Sequence, residues 1–166
     1  MQIMRDWQTL PEVRFISSYP VQKQMIKAFS ERAREKGLEK YDHVLFSFHG
    51  LPVRQIKKCD NFGVCQSRED CCSLSLNPQC YASQCVSTAS AIAGELKLPK
   101  QKYTVTFQSR LGKEPWLEPS TQDTVHQLAK NNVGRVLIFS PSFVADCLET
   151  LYEIGVELKD EFVRLG

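Results

Sequence analysis

Short apolar runs alternate along this chain with longer stretches whose apolar residues recur at helical spacing. The runs predict strands over residues 13–16, 43–48, 103–107 and 133–139, and the stretches predict helices over 20–36, 81–96, 121–131 and 145–162. Strands that alternate with helices in this way are typical of a parallel sheet with helices on both faces. We therefore expect an α/β three-layer sandwich with a parallel sheet of about four strands.

Polar residues follow each predicted strand, at the edge of the sheet where parallel α/β proteins bind ligands. His49 ends the most apolar run, and Gly50 then breaks the strand pattern. A neutral histidine ring can exchange a proton near neutral pH or bind a metal ion, although it can also simply hydrogen-bond loop carbonyls. The other residues expected at this edge are Ser17, Ser18, Gln108, Ser109, Arg110 and residues 140–143.

Acidic residues open the last predicted helix, close to the same edge. Asp146, Glu149 and Glu153 are three and four positions apart, which places them on one helical face. They could conduct a divalent cation inward or protons outward. The alternative is that they form the solvated face of the helix, while an apolar stripe packs inward. That stripe would comprise Leu148, Leu151, Tyr152, Gly155 and Val156.

The loop over residues 108–119 combines cationic and aromatic side chains. Arg110 and Lys113 can bind carboxylates, and Trp116 offers a flat apolar surface. Such a loop suits a planar aromatic acid, although Trp116 could equally cover the edge of the sheet.

Composition and charge exclude several classes of protein. The chain has 166 residues, 42% of them hydrophobic and 24% charged, with a net charge of +2. These values are ordinary for one soluble domain over residues 1–166, and they favour no nucleic-acid partner. We find no apolar run long enough to span a membrane and no secretion signal in residues 1–10. An intracellular protein keeps its thiols reduced, so the seven cysteines are expected to be thiols or metal ligands.

Five of the cysteines fall in a polar insert over residues 54–80. Their crowding suggests a site for a soft metal, either Zn²⁺ or an iron–sulfur cluster. The spacing lacks the paired Cys-x-x-Cys of zinc ribbons, and one of two adjacent cysteines is expected to be spare. Free or disulfide-bonded surface thiols remain the alternative. The five are Cys59, Cys65, Cys71, Cys72 and Cys80.

Three motifs resemble the ferrochelatase family. They read SFHGLP at 47–52, FQSRLGKEPWL at 107–117 and PSFVADCLETLYEI at 141–154. The resemblance implies a Rossmann-like, chelatase-like fold and the insertion of ferrous iron into a porphyrin such as protoporphyrin IX or coproporphyrin III. His49 and Glu149 would be the catalytic and iron-binding residues. Asp146 and Glu153 would continue the acidic track, and Trp116 and Phe143 would lie near the macrocycle.

The resemblance also favours a [2Fe–2S] cluster in the insert, since some bacterial ferrochelatases carry one. We expect its ligands to be Cys59, Cys65, Cys72 and Cys80, with Cys71 as the first substitute.

The chain departs from the family pattern in three respects. It matches only the carboxyl-terminal half of the enzyme, it ends at Gly166 before the last expected strand and helix, and Cys147 stands where some members carry histidine. We therefore expect a cytoplasmic fragment that lacks its amino-terminal lobe and is inactive alone, with peripheral membrane contact in the whole enzyme. The alternatives are a non-catalytic iron–sulfur or heme-binding module, or a chelatase for another metal or tetrapyrrole.

Overall fold

A computed structural model describes residues 8–9, 12–65, 70–74 and 76–165. Most of the irregular segment expected over residues 1–11, and residues 66–69 and 75 of the insert, lie outside this range. The strands are β1 (His43–His49), β2 (Tyr103–Gln108) and β3 (Val136–Phe139). The α-helices are α1 (Lys23–Glu35), α2 (Val53–Lys58), α3 (Tyr81–Glu95), α4 (Thr121–Lys130) and α5 (Lys159–Leu165), and a π-helix (Glu149–Leu158) precedes α5.

The described strands form one parallel sheet in the order β2-β1-β3. β1 lies in the centre, where it is covered on both faces, and this explains its nearly continuous apolar sequence. The predicted parallel sheet is confirmed, but the strand expected over residues 13–16 is wrong. That segment has no strand structure, and Phe15 is 90% exposed. A run of four residues is too short to distinguish a strand from an exposed apolar segment.

The two faces of β1 pack against different helices, which makes three layers. Val44, Phe46 and Phe48 share one core with α1 and α3. Leu45 points to the opposite face, where it packs with Val125 of α4 and with the end of the π-helix. Because side chains alternate along a strand, Ser47 and His49 lie on this second face. The fold therefore directs His49 toward α4 and the π-helix.

The last predicted helix differs most from the structure. An α-helix was expected over residues 145–162, whereas the structure has a ten-residue π-helix followed by α5. The wider turns of a π-helix change which residues share a face. The inward apolar stripe was therefore wrong: Leu148 is 73% exposed and Leu151 is 59% exposed, and Tyr152 and Val156 are also exposed. The residues that do pack inward are Ile154, Leu158 and Phe162.

The insert contains one helix that the sequence did not predict, α2 at Val53–Lys58. Across the described ranges, no helix has both the length and the apolar character that crossing a membrane requires.

Candidate active site

A cavity of about 1090 Å³ lies at the carboxyl-terminal edge of the sheet, between the end of β2, α4 and the π-helix. His49 reaches it from β1, Ser109 and Arg110 from the loop after β2, and Glu149 and Glu153 from the π-helix. The structure therefore brings together His49, Glu149 and Glu153, which are the histidine and two of the three acidic residues that the sequence analysis selected.

Hydrogen bonds fix the position of His49. Its Nδ1 lies 2.6 Å from the carbonyl oxygen of Gly50, so Nδ1 is assigned as the N–H donor and Nε2 is left as the free acceptor. Its backbone N–H donates to Ser142 Oγ at 3.0 Å, and its carbonyl accepts from the Tyr81 hydroxyl at 2.8 Å. Burial raises the pKa of Tyr81, which keeps that hydroxyl protonated as a donor. One ring nitrogen thus binds a loop carbonyl, and the other remains available for chemistry.

Glu149 carries the negative charge that complements His49. Its hydrogen bond with Cys147 contributes most to holding the Glu149 pKa below the usual range, and its own backbone N–H and the nearby His49 act in the same direction. The carboxylate is therefore ionised at neutral pH. Glu149 therefore supplies a negative charge near the imidazole of His49, in the cavity that both residues line.

The acidic row extends further than the sequence analysis predicted. Glu157 and Glu161 also line the cavity, so that four glutamates follow one another at intervals of four residues. The repeat was visible in the sequence, but α-helical counting drew attention only to its beginning. Glu161 also accepts hydrogen bonds from Gln122, which contribute most to lowering its pKa. Asp146, in contrast, is exposed and is not among the residues described as lining the cavity.

Trp116 lies against Gly50 instead of lining the cavity. A Cβ atom at Gly50 would come within 3.1 Å of the Trp116 ring and 2.8 Å of the Gln108 carbonyl, so only glycine fits there. Trp116 Nε1 is buried without a hydrogen-bond partner among the described residues. The ring centroid of Phe143 lies 6.0 Å from that of His49. Both aromatic residues therefore lie close to the His49 loop.

Comparison with known proteins identifies the family of this chain. The family model described as Ferrochelatase matches residues 1–166. The chain belongs to the ferrochelatase family. It is 39% identical to a ferrochelatase of Pseudomonas fluorescens (strain Pf0-1) over an alignment of 169 positions that covers 99% of this chain and 50% of that protein. It is 43% identical to a ferrochelatase of Pseudomonas entomophila (strain L48) over an alignment of 145 positions that covers 85% of this chain and 43% of that protein.

The chain spans about half the length of the curated ferrochelatases it matches. His49, Glu149 and Glu153 all lie within the matched residues and line the same cavity. Exposed apolar side chains border it, with Leu148 at 73% and Leu111 at 79% exposure.

The cysteine insert of this ferrochelatase-family chain contains a second, smaller cavity, which we call the thiol cavity. Burial, followed by the effect of Cys71, raises the pKa of Cys72 to about 12, and the Sγ atoms of these two residues are 3.9 Å apart. Cys59, at the end of α2, is exposed and does not take part. The thiols that line the cavity are Cys65, Cys71, Cys72 and Cys80.

Four thiols are the donor type that an iron–sulfur cluster or Zn²⁺ requires. Their arrangement is closed, since the space between them is only about 10 Å³. Within the described part of the chain, no three His, Cys, Asp or Glu side chains are placed as a metal-binding group. The donor set thus fits a cluster by its chemistry, and the loop would have to open to admit one.

Asp60 organises this loop, and the sequence analysis did not select it. Its carboxylate accepts hydrogen bonds from the backbone N–H groups of Cys65 at 2.5 Å and Phe62 at 3.1 Å. The Cys65 bond contributes most to holding the pKa of Asp60 below its usual range. Asn77 donates a further bond from the other end of the loop. One aspartate therefore joins the two ends of the insert.

Proposed function

We propose that this chain forms the carboxyl-terminal half of an enzyme that inserts ferrous iron into a porphyrin. The observation that supports this most is the cavity in which the free Nε2 of His49 and the Glu149 carboxylate belong to one site. Family membership supports this reaction, and the half-length match supports an amino-terminal lobe as the partner. We further propose a cytoplasmic location, with peripheral membrane contact in the whole enzyme as a secondary proposal.

The chemistry of metalation explains why such a pair is useful. Each iron that enters a porphyrin replaces two pyrrole protons, so the site needs a base at the macrocycle and a route for protons. His49 would accept a proton at Nε2, and Glu149 would stabilise the imidazolium or bind the entering iron. Glu153 and Asp146 would continue the acidic track toward solvent. Trp116 and Phe143 would lie near the macrocycle, since Trp116 lies against Gly50 and the ring centroid of Phe143 is 6.0 Å from that of His49.

We propose a [2Fe–2S] cluster as a second, resident group. Three of its ligands would be Cys65, Cys72 and Cys80. The sequence favours Cys59 as the fourth ligand, whereas the lining of the thiol cavity favours Cys71. Cluster formation would release the thiol protons and contribute folding energy to the loop. The insertion of iron into a porphyrin moves no electrons, so we assign the cluster a structural or redox-sensing role.

The test is ferrous iron insertion into protoporphyrin IX and coproporphyrin III by the full-length protein that contains this chain. His49→Ala should abolish it, because the base is lost. His43→Gln is a matched control, since His43 lies at the opposite end of β1 and bonds Thr104 Oγ1 at 2.9 Å. Wild-type activity in His49→Ala would overturn the proposal.

The same experiment separates the alternatives. A heme-binding or iron–sulfur module would bind heme, or contain iron and sulfide, without metalating a porphyrin. A chelatase for another metal or tetrapyrrole would metalate only when offered that substrate, and would still depend on His49.

A further inference from the structure

Buried polar side chains form a continuous chain behind the acidic cavity. Ser47 Oγ donates to Gln108 Oε1 at 2.8 Å and lies 2.8 Å from Thr121 Oγ1, which in turn donates to Thr106 Oγ1 at 2.9 Å. All four residues are 3% exposed or less. Polar groups buried so deeply must be hydrogen-bonded, and a fully bonded network holds its members in one arrangement.

This network ends at Glu153. Gln108 Nε2 lies 3.4 Å from Glu153 Oε2. The next residue, Ser109, donates twice, from its backbone N–H to Oε1 at 2.7 Å and from its hydroxyl to Oε2 at 2.6 Å. Bonds to a carboxylate are stronger than those between neutral groups. Both oxygens of Glu153 are therefore held from the end of β2.

The backbone of Ser109 is unusual, because its φ is 63°. A residue with a side chain rarely adopts this left-handed conformation, and it persists only where the surrounding structure stabilises it. Here the conformation accompanies two bonds from one residue to one carboxylate. We take the strain as a second sign that this contact has a role.

The location of the contact indicates that role. Gln108 pairs with His49 across the β1–β2 register, and Glu153 follows Glu149 by four residues in the π-helix. A link between Ser109 and Glu153 therefore fixes the distance between the strand that carries His49 and the helix that carries Glu149.

We propose that Gln108 and Ser109 are positioning residues that hold Glu153, and through it the π-helix, so that Glu149 stays beside His49. The inference rests on the proposed function for its effect on rate. The hydrogen-bonded link itself can be tested independently.

The link is tested by hydrogen exchange of this chain. In the wild-type protein the Ser109 amide should be protected, and Glu153→Gln, which loses the anionic acceptor, should increase its exchange roughly tenfold or more. Glu39→Gln, at an exposed glutamate outside the cavity, is the control. Equal exchange of the Ser109 amide in the wild type and in Glu153→Gln would overturn the proposal.

The positioning role is tested by steady-state metalation with the full-length protein. Ser109→Ala and Ser109→Gly both remove the hydroxyl donor and keep the backbone N–H, but glycine also relieves the backbone strain. We expect both variants to lower kcat roughly tenfold with less than a twofold change in the KM for iron. We also expect Ser109→Gly to have a higher Tm than Ser109→Ala. Ser90→Ala, at an exposed serine in α3, should match the wild type.

Each outcome is decisive for one claim. If kcat follows Tm, so that Ser109→Gly recovers activity, Ser109 is only structural and the positioning role is wrong. If the wild-type protein metalates no porphyrin, the proposed function fails, while the exchange experiment still decides whether the Ser109–Glu153 link exists.

Discussion

The acidic cavity and the thiol cavity are built from different parts of the fold. The first takes His49 from the end of β1 and Glu149 and Glu153 from the π-helix, so the residues selected for its chemistry lie on regular elements. The second lies in a loop between α2 and α3, where Asp60 provides the main internal bonds. Residues on regular elements have positions that follow from the period of the chain, whereas residues in a loop do not.

The comparison implies that the two sites can be damaged separately, and His49→Ala should have the largest effect. We expect metalation by the full-length protein to fall at least roughly a hundredfold, since general base catalysis contributes about that much or more. Iron and acid-labile sulfide bound in the insert should be unchanged.

Cys80→Ser should give the reverse pattern, because Cys80 is buried at the thiol cavity and does not line the acidic cavity. Bound iron, sulfide and visible absorbance should be lost, while His49-dependent activity is retained in whatever protein remains folded. Loss of bound cluster in His49→Ala would contradict the independence of the two sites.

Glu149→Gln should have the next largest effect, roughly tenfold or more on kcat. The substitution removes the negative charge near His49 and keeps the shape of the side chain. The pKa of Glu149 is lowered, so its interactions are present above the ordinary pKa of a glutamate and are lost as the pH falls through the lowered value. The acid limb of the pH–rate profile of Glu149→Gln should therefore differ from that of the wild-type protein. An unchanged profile would show that Glu149 does not act with His49.

The sequence analysis was accurate for features set by local patterns and inaccurate for features set by the tertiary structure. The parallel sheet, the position of His49 and the α4 cap were predictable, because strand period and capping chemistry are local: Ser120 Oγ accepts from the Asp123 N–H at 3.3 Å. The π-helix was not predictable, because no local sequence pattern indicates its wider turns. As a consequence, the apolar stripe was assigned to the wrong face of the helix. The Ser109–Glu153 contact spans 44 residues and needed the tertiary structure.

A smaller effect, on stability, is expected from Gly50→Ala. The new methyl group would lie 2.8 Å from the Gln108 carbonyl and 3.1 Å from the Trp116 ring, so the loop that positions His49 must shift. We expect a loss of about 1–3 kcal/mol in the free energy of unfolding, measured with urea. Gly94→Ala is the matched control, because nothing lies within 4 Å of its new Cβ, and in helix α3 it should stabilise by up to about 1 kcal/mol. Equal stability of the two variants would show that the His49 loop is not closely packed.

The smallest effect is expected at Cys59, and it addresses the least predictable feature of the loop. Spacing along the chain assigns Cys59 as a cluster ligand, whereas the structure leaves it exposed at the end of α2 and places Cys71 in the thiol cavity. After anaerobic purification, Cys59→Ala should retain iron and sulfide within error, and Cys71→Ala should lose most of both. Cys147→Ala, outside the insert, is the control for the loss of a thiol elsewhere. If Cys59→Ala loses the cluster and Cys71→Ala keeps it, the loop rearranges on binding, and the spacing in the sequence identified the ligands better than the fold does. Stoichiometric zinc in colourless protein would instead assign the thiol cavity to that metal.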